Sequence, residues 1–312
     1  MELRPLGFGE IFDRAVTLYI RNIVPFAGIV MVLILPLSIL QYILDRSSQP
    51  QLDLMLKVLQ NHAHARVEHV PTILDSPASV AALGVLLFIT YLFWPFALNA
   101  VAVGVARLYR NRRVDFRACY EAVLSRWPQI IALLFVQLFA FLAWYLAVIV
   151  IVVVIVLVVI ALGAASTTFA FWFGFVAGLA GFIVMAPLLA PLAVSLVFAM
   201  YSAVIEECSV GESLQRGFAR IFNRTEFWRA LLFSIAAGGV VLGGSMMLGM
   251  LGLVAAFAHQ PALEAIIESL ARATLAPFGV VLLAIYYFDV RIRREAFDLE
   301  TSLDRLSGAQ PA

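Results

Sequence analysis

Apolar positions recur at helical spacing in three places along the chain. The first set is Phe12, Val16, Tyr19, Ile20 and Ile23. The second is Phe116, Tyr120, Val123, Leu124 and Trp127, at identical offsets. The third is Leu214, Phe218, Ile221 and Phe222, with Thr225 at the last position. Offsets of i, i+4, i+7, i+8 and i+11 mark one face of an α-helix. A pair of long apolar runs follows each set. Six runs reach the length of about 20 residues that a bilayer crossing needs: about 24–44, 80–106, 129–161, 169–205, 230–258 and 274–289. The pattern predicts an all-α, polytopic membrane bundle of six transmembrane helices, arranged as three repeats of one amphipathic interfacial helix plus two spans. A single membrane domain over 1–312 is expected, with repeats at about 6–106, 110–205 and 208–290 and a cytoplasmic tail at 291–312.

The third and fourth runs exceed a straight crossing, yet neither contains a polar turn at which to divide. They are expected to tilt, kink or project. Pro187 and Pro191 each remove a backbone donor from the fourth run.

Composition agrees with the pattern. The 312 residues are 63% hydrophobic and only 13% charged, with a mean hydropathy of +0.98; soluble domains carry about 25% charge. A net charge of +1 gives no bias toward nucleic acid. The segment before the first run has no apolar core of a signal peptide, so the first span is expected to direct insertion. Of the 21 basic residues, 17 fall in the segments assigned inside when the N-terminus is placed in the cytoplasm, as the positive-inside rule requires. Inner-membrane location with both termini cytoplasmic follows. Cys119 and Cys208 then lie on the reducing side and are expected to be unpaired. Asn223-Arg224-Thr225 matches a glycosylation sequon but falls on that side too.

The first and third sets agree beyond their apolar residues. Gly9-Glu10 aligns with Gly211-Glu212, and Arg14-Ala15 with Arg216-Gly217. Glu precedes Arg by four residues in both, the favourable order for a helix ion pair. The second set has Val114 and Ala118 at those places. Each short helix thus has an apolar and an Arg-bearing face. The apolar face suits either packing on the bundle's own cytoplasmic end or contact with acyl chains, with the arginines among anionic headgroups. Gly174 with Gly178, and Gly239 with Gly243, have the spacing that permits close helix approach, within the chain or between copies.

The segments RPLGFGEIFDRAVTLYIRN, VIEECSVGESLQRGFARIFNRTEFWR and YYFDVRIRREAFDLE together resemble a bacterial family of integral membrane proteins, the glycerophosphodiester phosphodiesterase membrane-domain family and its relatives. The resemblance runs through essentially the whole chain and implies a membrane region of this type. The family takes its name from members in which that region is fused to a catalytic domain. Six spans and their loops consume the length of this chain, and no catalytic residue of that domain has a matching position.

Chemistry is sparse. The runs carry no ionisable residue away from their ends, which argues against proton relays. Their centres offer Asn99, Gln137, Ser195, Ser202, Ser234 and Ser245; Asn99 and Gln137 suit interhelical hydrogen bonds. An outer loop at about 45–79 is expected, with a short amphipathic helix at Leu52–Leu59. His62, His64 and His69 follow it, near Glu68 and Asp75, and His259 lies on the same side. Their spacing matches no standard zinc motif. Nucleophile elbows, P-loops and dinucleotide fingerprints are absent. Arg107, Arg110, Arg112 and Arg113 read as topology determinants or as a headgroup site. Arg291, Arg293 and Arg294 read alike, with Glu295 and Asp298 as neighbours on a solvated helix. No catalytic, cofactor or metal site is expected, and no cofactor. The expected role is a non-enzymatic scaffold that binds lipid, anionic headgroups or a protein partner at the cytoplasmic face. The alternative is a permease or flippase-like carrier of an apolar or amphiphilic solute, routed near Pro187 and Pro191.

Overall fold

A computed structural model describes residues 6–60, 77–163, 166–257 and 261–295. Among these residues nine α-helices form, and no strand: α1 (Phe8–Arg21), α2 (Ile23–Gln60), α3 (Pro77–Tyr109), α4 (Phe116–Leu124), α5 (Trp127–Gly163), α6 (Thr167–Ile205), α7 (Val210–Ile221), α8 (Arg224–Phe257) and α9 (Pro261–Glu295). A short helix precedes a pair of long ones three times over. All six long helices are long and apolar enough to cross a membrane.

The short helices begin where local chemistry supplies acceptors for their first N–H groups, which have no partner inside the helix. Ser209 caps α7 by accepting from Glu212 N. Asp115 Oδ2 accepts from Ala118 N at the start of α4. Glu10 reaches back from the first turn of α1 to accept from Gly7 N at 2.8 Å. Asn223, read from sequence as a chance sequon, opens α8 instead: its Oδ1 accepts from Thr225 N and Glu226 N. Pro128 sits in the first turn of α5, where a missing N–H costs nothing.

The chain divides into two compact units, whose boundaries fall within α4, α8 and α9. Among the described residues, one comprises Leu6–Glu121 with Val240–Ile285; the other comprises Ala122–Gly239 with 286–295. In the first unit α2 packs along α3. Tyr19 of α1 donates its hydroxyl to the Thr274 carbonyl of α9, and its ring meets Phe278 edge-on at 5.7 Å. Tyr120 of α4 donates to the Ile29 carbonyl of α2 at 2.7 Å. In the second unit α6 packs along both α5 and α7.

The two longest runs remain single helices, α5 and α6, and Pro187 and Pro191 both lie inside α6. Ser195 Oγ donates to the Pro191 carbonyl at 2.8 Å. The same device recurs on α3, where Asn99 Nδ2 donates to the Pro95 carbonyl. The expected loop from residue 45 is corrected in its first part: α2 runs on to Gln60. Leu52–Leu59 is therefore helical as a continuation of the first long helix, not as a separate element. His62, His64, Glu68, His69, Asp75 and His259 lie outside the described residues.

Small residues set the closest approaches. A Cβ added at Gly217 would lie 2.4 Å from the Ser195 carbonyl oxygen and 2.8 Å from Ala199 N. Those neighbours are backbone, so α7 itself would have to lift from α6. Gly174 packs on Val159 of α5, whereas Gly178, Gly239 and Gly243 have nothing within 4 Å of an added Cβ. We expect Gly217→Ala to cost about 1–3 kcal/mol through overpacking, read as a lowered unfolding midpoint in detergent. Gly178→Ala should be neutral or slightly stabilising, since Ala favours a helix by up to about 1 kcal/mol over Gly. Equal effects from the two would contradict this packing.

Candidate functional site

The buried line on each short helix does not coincide with its apolar stripe. On α1 the buried residues are Ile11, Ala15, Leu18 and Tyr19. On α7 they are Ser213, Gly217, Arg220 and Ile221, which are the same four positions displaced by a constant 202 residues. Cys119 and Val123 of α4 are buried at the places matching Ala15 and Tyr19. Most of the stripe lies one residue, about 100° of helix, away from this line. Ile20 is 64% exposed and Phe222 49% exposed, with Phe8, Phe116 and Leu124 exposed as well. Trp127 and Trp228, at the starts of α5 and α8, are also exposed.

On α7 the inward line carries polar and small residues beside Ile221. Ser213, Gly217 and Arg220 follow at i, i+4 and i+7, so they share a face. Gly217 brings the helix against α6, and Arg220 then enters the protein with its side chain only 3% exposed. This corrects the expectation that the arginines of the short helices face outward. Arg220 grips Glu206 at the end of α6 with both arms of its fork: Nη1 to Oε1 at 2.8 Å and Nη2 to Oε2 at 3.1 Å. The same Nη1 donates to Ser202 Oγ at 2.7 Å, while Ser202 donates onward to the Phe198 carbonyl.

A further element, α9, closes on Glu206. Tyr287 of α9 donates its hydroxyl to Oε1, and its ring lies 5.1 Å from the Arg220 guanidinium carbon. Arg291, one turn on, places Nε 3.5 Å from Oε1 and is itself buried. It was expected on a solvated helix; α9 turns it inward to a carboxylate of α6 instead. Arg216, 42% exposed, bridges Glu206 to Glu212, and the Glu212–Arg216 pair has the i, i+4 order anticipated from sequence. Glu207 adopts left-handed backbone, φ 57°, which turns the chain sharply out of α6 toward α7. Its side chain pairs with Arg126 at the surface.

A second knot lies one turn along α9. Arg229 of α8 pairs with Glu226 at 3.0 Å and with the fully buried Asp289 at 2.9 Å. Arg293 meets the same Asp289 oxygen at 2.9 Å. Tyr286 donates to Glu226 at 3.0 Å and stacks on Phe233. Together the knots fasten the ends of α6, α7, α8 and α9 in one unit. Arg294 adds a bond to the Ala219 carbonyl of α7.

The electrostatics of the first knot are one-sided. Burial by itself would raise the Glu206 carboxyl. The Arg220 hydrogen bonds, the Arg291 and Arg220 charges and the Tyr287 hydroxyl outweigh it and bring the carboxyl down to about 2. Arg216 is pushed upward, first by its hydrogen bond to Glu206. The flanking thiols move the other way: burial raises Cys208, and raises Cys119 to about 11. Neither is a poised nucleophile, and both are free.

Sequence reasoning passed over Glu206, Glu226, Asp289, Tyr286 and Tyr287. Their signal was present as a polar line on α7 and as ionisable residues clustered at the ends of the fourth and sixth runs. It gave no partner on α9, because those partners lie 60 to 85 residues away along the chain.

Fold and site together define a class: a helical protein with six helices of membrane-crossing length, in one unit of which buried arginine–carboxylate knots tie the ends of α6, α7, α8 and α9. Residues 1–242 match the model of a family described as a domain of unknown function, DUF8558, and the chain belongs to that family. No curated protein and no solved structure matches it.

Replacing Glu206 by Gln removes the carboxylate while Arg220 and Arg291 stay buried, an arrangement that costs about 3–5 kcal/mol. We expect a large loss of stability from Glu206→Gln and at most about 1 kcal/mol from Glu207→Gln, whose pair is exposed; detergent-phase unfolding distinguishes them. The depressed carboxyl makes its contribution above the unfolded value near 4.5 and loses it as pH falls toward about 2. The stability gap between wild type and Glu206→Gln should therefore narrow across that window. A gap that stays constant from pH 5 to pH 2 would place its origin elsewhere.

Proposed function

We propose that the protein is a multi-pass protein of a bacterial inner membrane, with both termini cytoplasmic, and that it is a non-enzymatic module that binds lipid at the cytoplasmic face. Three repeats of a short interfacial helix and two spans build it. The resemblance to membrane regions fused to phosphodiesterase domains fits such a modular role.

The carrying observation is the offset between buried line and apolar stripe on α1, α4 and α7. A helix that serves only its own bundle turns its apolar side inward. Here α7 turns Ser213, Gly217 and Arg220 inward along with Ile221 and leaves Phe222 outside. Exposed apolar edges beside aromatic residues and arginines suit the boundary between acyl chains and headgroups. The long helices support the same solvent: α5 exposes apolar side chains along nearly its whole length, far beyond the few hundred Å² of contiguous apolar surface that soluble monomers tolerate. The constant displacement of 202 residues between the buried lines of α1 and α7 supports the repeat.

Single-tryptophan variants retaining Trp127 or Trp228, reconstituted with brominated lipids, test the reading. Both are expected to be quenched best by bromine close to the glycerol region and less by bromine deep in the chains. Absence of quenching at both sites would refute interfacial placement. Gly211→Cys, at an exposed and uncrowded position of α7, should react with an impermeant maleimide only after cells are opened; reaction in intact cells would reverse the orientation.

A further inference from the structure

The turn between α3 and α4 carries a feature that the bundle does not use. Arg110, Arg112 and Arg113 are exposed within four residues. Among the described residues no carboxylate pairs with any of them, whereas Arg117 pairs with Glu121 and Arg126 with Glu207. Arg216, Arg220, Arg229, Arg291 and Arg293 are likewise neutralised. Five arginines of the second unit are thus matched to carboxylates at its knots, whereas three guanidiniums stand bare within a single turn here.

The turn is also built to a fixed shape. Asn111 adopts left-handed backbone, φ 56°, a conformation that Asn accepts more readily than most residues. Arg112 N donates to the Arg107 carbonyl at 2.8 Å, and Asn111 N to the Leu108 carbonyl. Arg107 then closes the ring, its Nε donating to the Arg113 carbonyl at 3.2 Å. One arginine is thus spent on holding the backbone that presents the other three. Asp115, the acid nearest in sequence, caps α4 through Ala118 N. Phe116 follows immediately, exposed, with its ring against Tyr120 at 4.9 Å.

We infer that this turn is a binding site for the phosphodiester headgroup of anionic phospholipid. Guanidinium forks match phosphate oxygens in geometry and charge. An exposed aromatic at the first position of an interfacial helix places acyl-chain contact beside that phosphate contact, which favours a lipid over a free anion. The assignment rests on the interfacial placement proposed above and names the lipid class that this face selects.

The test uses the full chain, purified in detergent and presented with equal amounts of phosphatidylglycerol and phosphatidylcholine of matched chains. Retained lipid is counted by native mass spectrometry. Wild type is expected to retain phosphatidylglycerol preferentially, and the triple variant Arg110→Gln, Arg112→Gln, Arg113→Gln to lose about tenfold of that preference, given the attraction of each basic residue to an anionic surface. Millimolar inorganic phosphate should leave retention unchanged. Equal retention of both lipids by wild type overturns the assignment, as does an unchanged preference in the triple variant. Displacement by phosphate overturns the choice of lipid over free anion. The wild-type comparison and the single variant Arg112→Gln decide the matter even where the triple variant does not assemble. Shallow quenching at Trp127 and Trp228 together with equal retention rejects the headgroup site alone and leaves the interfacial reading standing.

Discussion

The carboxylate of Glu206 is the point on which one end of the second unit closes. Two helices besides its own, α7 and α9, send cations and a hydroxyl to it, and its side chain is only 5% exposed. An isolated charge so placed is very costly, and so is each guanidinium facing it. The cluster persists because every member is matched: the Arg220 fork is filled on both arms, Ser202 accepts from Arg220 and donates to Phe198, and Tyr287 contributes both hydroxyl and ring. Such a network adds less to net stability than to uniqueness of arrangement. An apolar seam tolerates sliding by a fraction of a turn, but a bidentate fork does not. That distinction has weight in a bundle whose long helices are otherwise nearly uniform Val, Leu, Ile and Ala.

The geometry of α7 follows from the same knot. A helix carrying Arg220 inward must come close enough for the guanidinium to reach the end of α6. Gly217 supplies the approach, with the Ser195 carbonyl where any side chain would sit. Burial of that line, Ile221 included, leaves Leu214 and Phe218 half-buried and Phe222 exposed.

Much of the architecture was legible from pattern. Six long helices follow from hydropathy because few alternatives exist for 20 to 40 apolar residues in a row, and the short helices follow from the 3.6-residue period. The continuity of α5 and α6 was readable from the lack of polar turns. What pattern did not reveal was direction. A stripe shows that a helix has two sides, but not which side the protein keeps; the usual inference assumes water outside, and α7 violates it. The extension of α2 to Gln60 was hidden because Asp45, Arg46 and Pro50 interrupt the hydropathy without interrupting the helix. The knots were hidden for a different reason. Glu206 and Arg291 each stand at a run's end, where isolated charges are ordinary, Arg220 stands on the short helix between two runs, and only folding makes them neighbours.

Asp289 has a consequence of its own. A single oxygen, Oδ2, accepts from Arg229 on α8 and from Arg293 on α9, each at 2.9 Å. Two cations that share one acceptor compete for its electron density, so the two bonds are thermodynamically coupled with negative sign. Arg229 is largely enclosed, while Arg293 reaches the surface. One buried oxygen therefore ties the rim of α9 to α8 through two guanidiniums of unequal exposure.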